Sequence, residues 1–139
     1  MKTSVFILCT LIGISASSCT QAQTSSKEQN APKVESTDLH AMEFQAQIGQ
    51  AGAVLLDVRT PAEYASGHLA GAVNMDWSAA DYEAKFGTLD PKQPVLVYCA
   101  MGGRSDQAKE YLVGKGYRVI QLIDGISGWK KAGLPVEKE

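Results

Sequence analysis

The sequence has little of what nucleic-acid binding, a metal centre or a disulfide framework would require. Its 13 lysines and arginines are outnumbered by 15 acids, giving a net charge of −2, so no electrostatic footprint for nucleic acid is present. Its two histidines and three cysteines form no cluster with metal-ligand spacing, and no glycine pattern suggests a nucleotide. No bound cofactor and no metal is therefore expected. Long apolar runs are also missing, since the stretch from Val5 to Ile14 falls short of the roughly 20 residues of a spanning helix. At 139 residues the chain suits one domain of ordinary size.

What is present begins with "MKTSVFILCTLIGISASSC": a positive start at Lys2, the apolar run, and small residues Ser15 to Ser18 before Cys19. This reads as an export signal over residues 1–18. The stretch "ASSC" resembles a bacterial lipoprotein lipobox, which implies that Cys19 becomes a lipidated first residue. Ordinary cleavage near "TQAQ" and an uncleaved anchor are the other readings. Residues 19–32 are polar and without period, a flexible tether to a domain spanning residues 33–139. The expectation is an exported lipoprotein, anchored to a membrane through its N-terminal lipid, with its domain in the periplasm. Loss of Lys2 takes the net charge from −2 to about −3, Cys9 leaves with the signal, and Cys99 remains as the free thiol. Such a domain has no internal disulfide and relies on its packed core.

Beyond the tether, helical and strand signals alternate. A helix is expected over "STDLHAMEFQAQIG", with Ser36 or Thr37 as N-cap, Leu39, Met42 and Ala46 on one face, and Gly49 as stop. Buried strands are read at Ala53 to Val58, in "PVLVYC" and in "VIQLI", with a short one at about Ala72 to Asn74. In "TPAEYASG", Thr60 caps a compact helix, Pro61 takes its first position, Glu63 completes a capping box and Gly67 ends it. "SAADYEAKFG", "SDQAKEYLVGKG" (stopped at Gly116) and "GISGWKKAG" supply further helices. Strands separated by helices imply an α/β domain, a parallel sheet with helices on both faces. Ligands bind such sheets outside the carboxyl ends of the strands, which is where Asp57 and Cys99 fall.

"VLVYC" alone would suit an inert buried cysteine. Its sequel does not: Gly102 and Gly103 permit unusual backbone, a helix begins near Ser105, and Arg104 adds positive charge. Successive N–H groups at such a turn make an anion-binding concavity, which lowers a cysteine pKa from about 8.5. Cysteine-dependent phosphatases place five residues between cysteine and arginine. Here there are four, Ala100 to Gly103, a ring sized for something smaller than phosphate, such as one extra sulfur atom.

Three stretches, "LLDVRTPAEYASGHLAGAVNM", "CAMGGRS" and "DGISGWKKAGLPV", resemble the rhodanese-like sulfurtransferases, in particular the single-domain members, over about Val34 to Val136. The resemblance implies that Cys99 thiolate attacks the outer sulfur of thiosulfate or a similar small anionic donor, becomes a persulfide, and passes the sulfur to cyanide or a thiol, including a protein thiol. Cys99 would be the nucleophile, with the backbone from Ala100 through Met101, Gly102, Gly103 and Arg104 to Ser105 stabilising the persulfide anion. Arg104 is the candidate for attracting the donor's anionic end. Position 100 is alanine where many thiosulfate-using members carry a basic residue, which leaves the donor open.

The remaining candidates read as structural support. Asp57 caps or pairs locally, Arg59 holds the adjacent helix start or loop, and His68 sits at a helix end without spacing that brings it to Cys99. His40 is expected to be solvated on the first helix, Trp129 to be core or a cleft wall, and Lys130 and Lys131 to lie on a solvated face. Two rival functions fit the same residues: a cysteine-dependent phosphatase or arsenate reductase, and a non-catalytic adaptor that binds a partner.

Overall fold

The computed structural model describes residues 35–50 and 52–138. The expected signal peptide, Cys19 and the tether lie outside the described residues. In chain order the elements are β1 (Ser36–Leu39), α1 (Ala41–Gln45), β2 (Val54–Asp57), α2 (Pro61–Ala65) and β3 (Val73–Asn74). There follow α3 (Tyr82–Phe86), β4 (Val95–Tyr98), α4 (Gly103–Gly114), β5 (Val119–Leu122) and α5 (Gly125–Lys131).

All pairings among these strands are parallel, and the sheet order is β1-β5-β4-β2-β3. Successive side chains of a strand point to opposite faces, so a strand covered on both sides needs apolar residues at every position. Central β4 obeys this at all four positions. Its Leu96 and Tyr98 pack with Phe44 of α1, Leu55, Leu69, and Ile126 and Trp129 of α5. Val95, Val97 and the following Cys99 pack on the other face with Leu56, Val58, Phe86 of α3, and Ala108 and Leu112 of α4. Each fully buried Leu or Val in these two layers contributes about 1.5–3 kcal/mol. The α/β architecture with helices on both faces is thus as the sequence implies.

One expected element is different. Ser36 and Thr37 do not cap a helix; they belong to β1, a polar and mostly exposed strand paired along β5, with Ser36 opposite Val119 and Leu39 opposite Leu122. The helix begins only at Ala41, because Ala41 and Phe44, a turn apart, are the residues that reach the core. Met42 is instead 63 % exposed, and Ala46 is exposed as well. The capping box of α2 forms as its sequence dictates: the Glu63 N–H donates to Thr60 Oγ1 at 3.3 Å, and the Thr60 N–H donates to Glu63 Oε2 at 3.1 Å.

Candidate active site

Because the strands are parallel, their carboxyl ends share one edge, and β2, β4 and β5 deliver Asp57, Cys99 and Ile123 to it. From Cys99 the chain loops through residues 100–102 and enters α4 at Gly103. Gly102 has φ of 101°, and a Cβ there would stand 2.2 Å from the Ile123 carbonyl oxygen. Only glycine fits the turn at that position. Gly103 is different from its expected role: its φ is ordinary, nothing lies near its Cβ position, and it simply begins the helix.

The turn aims donors at the sulfur. The Gly102 N–H donates to Cys99 Sγ at 3.1 Å, and the Ser105 hydroxyl lies 3.5 Å from it. Burial pushes the Cys99 thiol up, but hydrogen bonds from the Ser105 hydroxyl and from the N–H groups of Ser105, Met101 and Gly102 outweigh it, so the net shift is downward. Cys99 is only 2 % exposed, so the sulfur is a floor beneath the loop and not the exposed thiolate that a surface turn would give. Its position at a strand end, under α4 and the β5–α5 turn, causes this.

That second turn carries a residue the sequence reading passed over. Gly125 has φ of 57°, and a Cβ on it would stand 2.5 Å from the Ala100 carbonyl carbon and 2.6 Å from the Cys99 oxygen. This close approach lets the Ile126 N–H donate to the Cys99 carbonyl at 2.8 Å and the Ser127 N–H donate to the Ala100 carbonyl at 3.1 Å. The stretch "DGISGW" contained the signal, since a glycine just after a buried strand marks a close backbone approach.

Arg104 does not stand free at the mouth of the loop. Its Nη1 and Nη2 each donate to the Glu63 carboxylate at 2.7 Å, a bidentate pair joining α4 to α2. The guanidinium holds the Glu63 carboxyl down at about 2, against burial that pushes it up and with help from Thr60. Arg104 thus anchors the loop through Glu63, and from that fixed place its charge also acts on the Cys99 sulfur. Glu63 escaped notice because its capping box already explained it.

Asp57 and Arg59 form a buried ion pair at 0 % and 3 % exposure. Arg59 Nε donates to both carboxylate oxygens at 2.9 and 3.0 Å, and Nη2 also donates to the Gly67 carbonyl at 2.8 Å. The pair ties β2 to the end of α2. His68 stacks on Tyr64 with ring centroids 3.8 Å apart, its Nδ1 lies 3.1 Å from the Tyr64 carbonyl, and its backbone pairs with Glu137. These partners are remote in sequence from the cysteine loop. His40 stands just before α1, largely exposed, with Nδ1 2.5 Å from Asp124 Oδ2. Trp129 is buried, its Nε1–H donating to the Pro135 carbonyl at 2.8 Å. Lys131 is exposed and lines a cleft of about 450 Å³ with Met101, Asp124, Ser127 and Gly128.

The model of the "Rhodanese-like domain" family matches residues 40–132. The chain belongs to the rhodanese-like domain family. It is 43 % identical over 75 residues to the thiosulfate sulfurtransferase GlpE of Pseudomonas entomophila, covering 53 % of this chain and 66 % of that protein. It is 37 % identical over 84 residues to a sulfurtransferase of Allochromatium vinosum, covering 60 % and 77 %. The crystal structure of a rhodanese-related protein from Thermoplasma volcanium superposes with a TM-score of 0.67 at 30 % identity, over 74 % of this chain and 99 % of that one. The rhodanese match takes in the capping box of α2, the Cys99 loop and the β5–α5 turn that clamps it.

Proposed function

We propose that this protein is a rhodanese-type sulfurtransferase that carries the transferred sulfur as a persulfide on Cys99. The protein is an enzyme of that class; family membership and relatives at about 40 % identity named as sulfurtransferases support this. The observation that supports the persulfide is the set of N–H and O–H donors converging on Cys99 Sγ, with Gly102 N at 3.1 Å. In the first half-reaction the Cys99 thiolate attacks the outer sulfur of thiosulfate or a related anionic donor. The donor's S–S bond breaks, sulfite leaves with the electron pair, and Cys99 bears a persulfide anion. In the second, an acceptor thiolate or cyanide attacks the outer sulfur, and the Cys99 thiolate is returned as leaving group. In the thiolate the negative charge sits on Sγ, where the loop's donors already point, so little reorganisation is needed at that end of the cycle. Four residues between Cys99 and Arg104 favour this small cargo over phosphate.

The test uses the full chain incubated with thiosulfate and then digested for mass analysis. The Cys99 peptide is expected to gain one sulfur atom, removable by reductant and absent in Cys99→Ser. A folded protein whose Cys99 peptide gains nothing overturns the persulfide mechanism.

The proposal extends to location. The stretch "ASSC" supports export and lipidation at Cys19, with the domain facing the periplasm. Cys19→Ala is expected to release the protein from membranes, and retention unchanged by that substitution overturns the lipid anchor.

A further inference from the structure

Gln121 of β5 is 2 % exposed and lies under the Cys99 loop. Its Nε2 donates to the Gly102 carbonyl at 3.0 Å and to Ser105 Oγ at 3.1 Å. Its Oε1 is buried with no hydrogen-bond partner among the described residues. An apolar side chain in this strand would avoid that orphaned oxygen, whose desolvation is unfavourable. The glutamine is explained by what its nitrogen does, and its nitrogen touches the two groups that set the Ser105 proton.

We propose that Gln121 is a positioning residue for Cys99, directing the Ser105 hydroxyl proton toward the sulfur. The inference rests on reading Cys99 as the nucleophile. Ser105 has one hydroxyl proton and two acceptors within reach, the Gly102 carbonyl at 2.8 Å and Cys99 Sγ at 3.5 Å. The shorter contact would ordinarily keep the proton. The Gly102 carbonyl, however, has two lone pairs, and the Asp106 N–H at 2.9 Å takes one of them as α4 begins. Gln121 takes the other, and with its second N–H it donates into the Ser105 oxygen. A hydroxyl that accepts from Gln121, facing a carbonyl already doubly occupied, has the sulfur as its remaining acceptor.

The Ser105 proton is therefore directed at the sulfur, most strongly when the sulfur is a thiolate, while Asp106 and Gln121 keep the Gly102 carbonyl satisfied. The contact is a hydrogen bond alone, and no covalent bond is made or broken. The charged group acting on the sulfur, Arg104, is fixed by Glu63 and is unaffected by the amide.

The experiment follows the Cys99 Cβ resonance by carbon NMR against pH in the full chain labelled at cysteine, with Cys99→Ser assigning the signal. This reads the thiolate directly and gives an answer whether or not thiosulfate is the donor. Gln121→Leu is expected to move the midpoint up, so that the thiolate fraction below it falls about tenfold, the loss of roughly one hydrogen bond to an anion. The same variant should melt no lower than the parent, since it removes the orphaned oxygen and leaves the Gly102 carbonyl with its Asp106 and Ser105 donors. In a Ser105→Ala background, Gln121→Leu should move the midpoint no further. An unshifted midpoint, or an equal shift without Ser105, overturns the proposal. Gln121→Met gives the same reading with side-chain length kept, and loss of fold in both variants would overturn it too, by making Gln121 a purely structural residue.

Discussion

Arg104 and Glu63 meet through two hydrogen bonds of 2.7 Å across 41 positions of sequence, binding the helix that follows Cys99 to the helix that follows Arg59. The loop that cups the sulfur is therefore fastened at its far end by a carboxylate from a different crossover.

Glu63→Gln should flatten one part of the acid-denaturation profile. The folded Glu63 carboxyl sits at about 2, below the roughly 4.3 of an unfolded glutamate, so its contribution is complete above the unfolded value and is lost as pH falls through the folded one. About a third of each side chain is exposed, so after solvent screening the pair contributes about 1 kcal/mol. Unfolding free energies from urea titrations at pH 6 should differ by that amount, and those of parent and variant should converge near pH 2.

Gly102→Ala and Gly103→Ala, adjacent and identical in chemistry, should behave oppositely. The first puts a methyl group 2.2 Å from a carbonyl oxygen in left-handed backbone, which should reduce persulfide formation at least tenfold and destabilise by about 2 kcal/mol. The second fills open space at an α-helical φ and should be neutral or stabilising by up to about 1 kcal/mol. Single-turnover sulfur uptake and thermal melts of both variants check this.

Arg59→Leu should be the most damaging of the charge deletions, because it leaves the Asp57 carboxylate buried without its partner. The expected loss is about 3–5 kcal/mol, read from denaturant midpoints. A companion change to Asp57→Leu in the same chain should recover part of it.

Cys99 itself should make stability and rate depend on pH in the same direction. Its folded pKa is depressed below the unfolded value of about 8.5. The thiolate's contribution is thus complete above about pH 8.5 and disappears as pH falls through the folded value. Relative to Cys99→Ala, the parent should gain stability as pH rises through that interval. Single-turnover uptake of sulfur should rise over the same range, with its midpoint below that of an ordinary thiol.

What the sequence made legible was local or doubly signalled. β2, β4 and β5 are apolar at nearly every position because both faces are covered, and Thr60, Pro61 and Glu63 announce a helix start within four residues. β1 was illegible because "STDL" has neither an apolar period nor high strand propensity, and it is a strand through its backbone pairing with β5, some 80 positions away. The site divided in the same way. Cys99, Gly102 and Arg104 lie within six consecutive residues and could be read together, whereas Gly125, Glu63 and Gln121 reach that stretch from three other elements. Their roles exist only once the parallel sheet has brought its carboxyl ends to one edge.

The alternation along β4 assigns the sulfur to a layer by parity. Val95, Val97 and Cys99 share the side of α3 and α4, and Leu96 and Tyr98 the side of α1 and α5. A single residue inserted or deleted between Val95 and Cys99 would rotate the thiol through the sheet, away from Ser105 and Gln121, even if every strand still paired. The reach of the chemistry is thus counted in whole residues from a buried valine, and mutational scans by insertion should find this segment far less forgiving than scans by substitution.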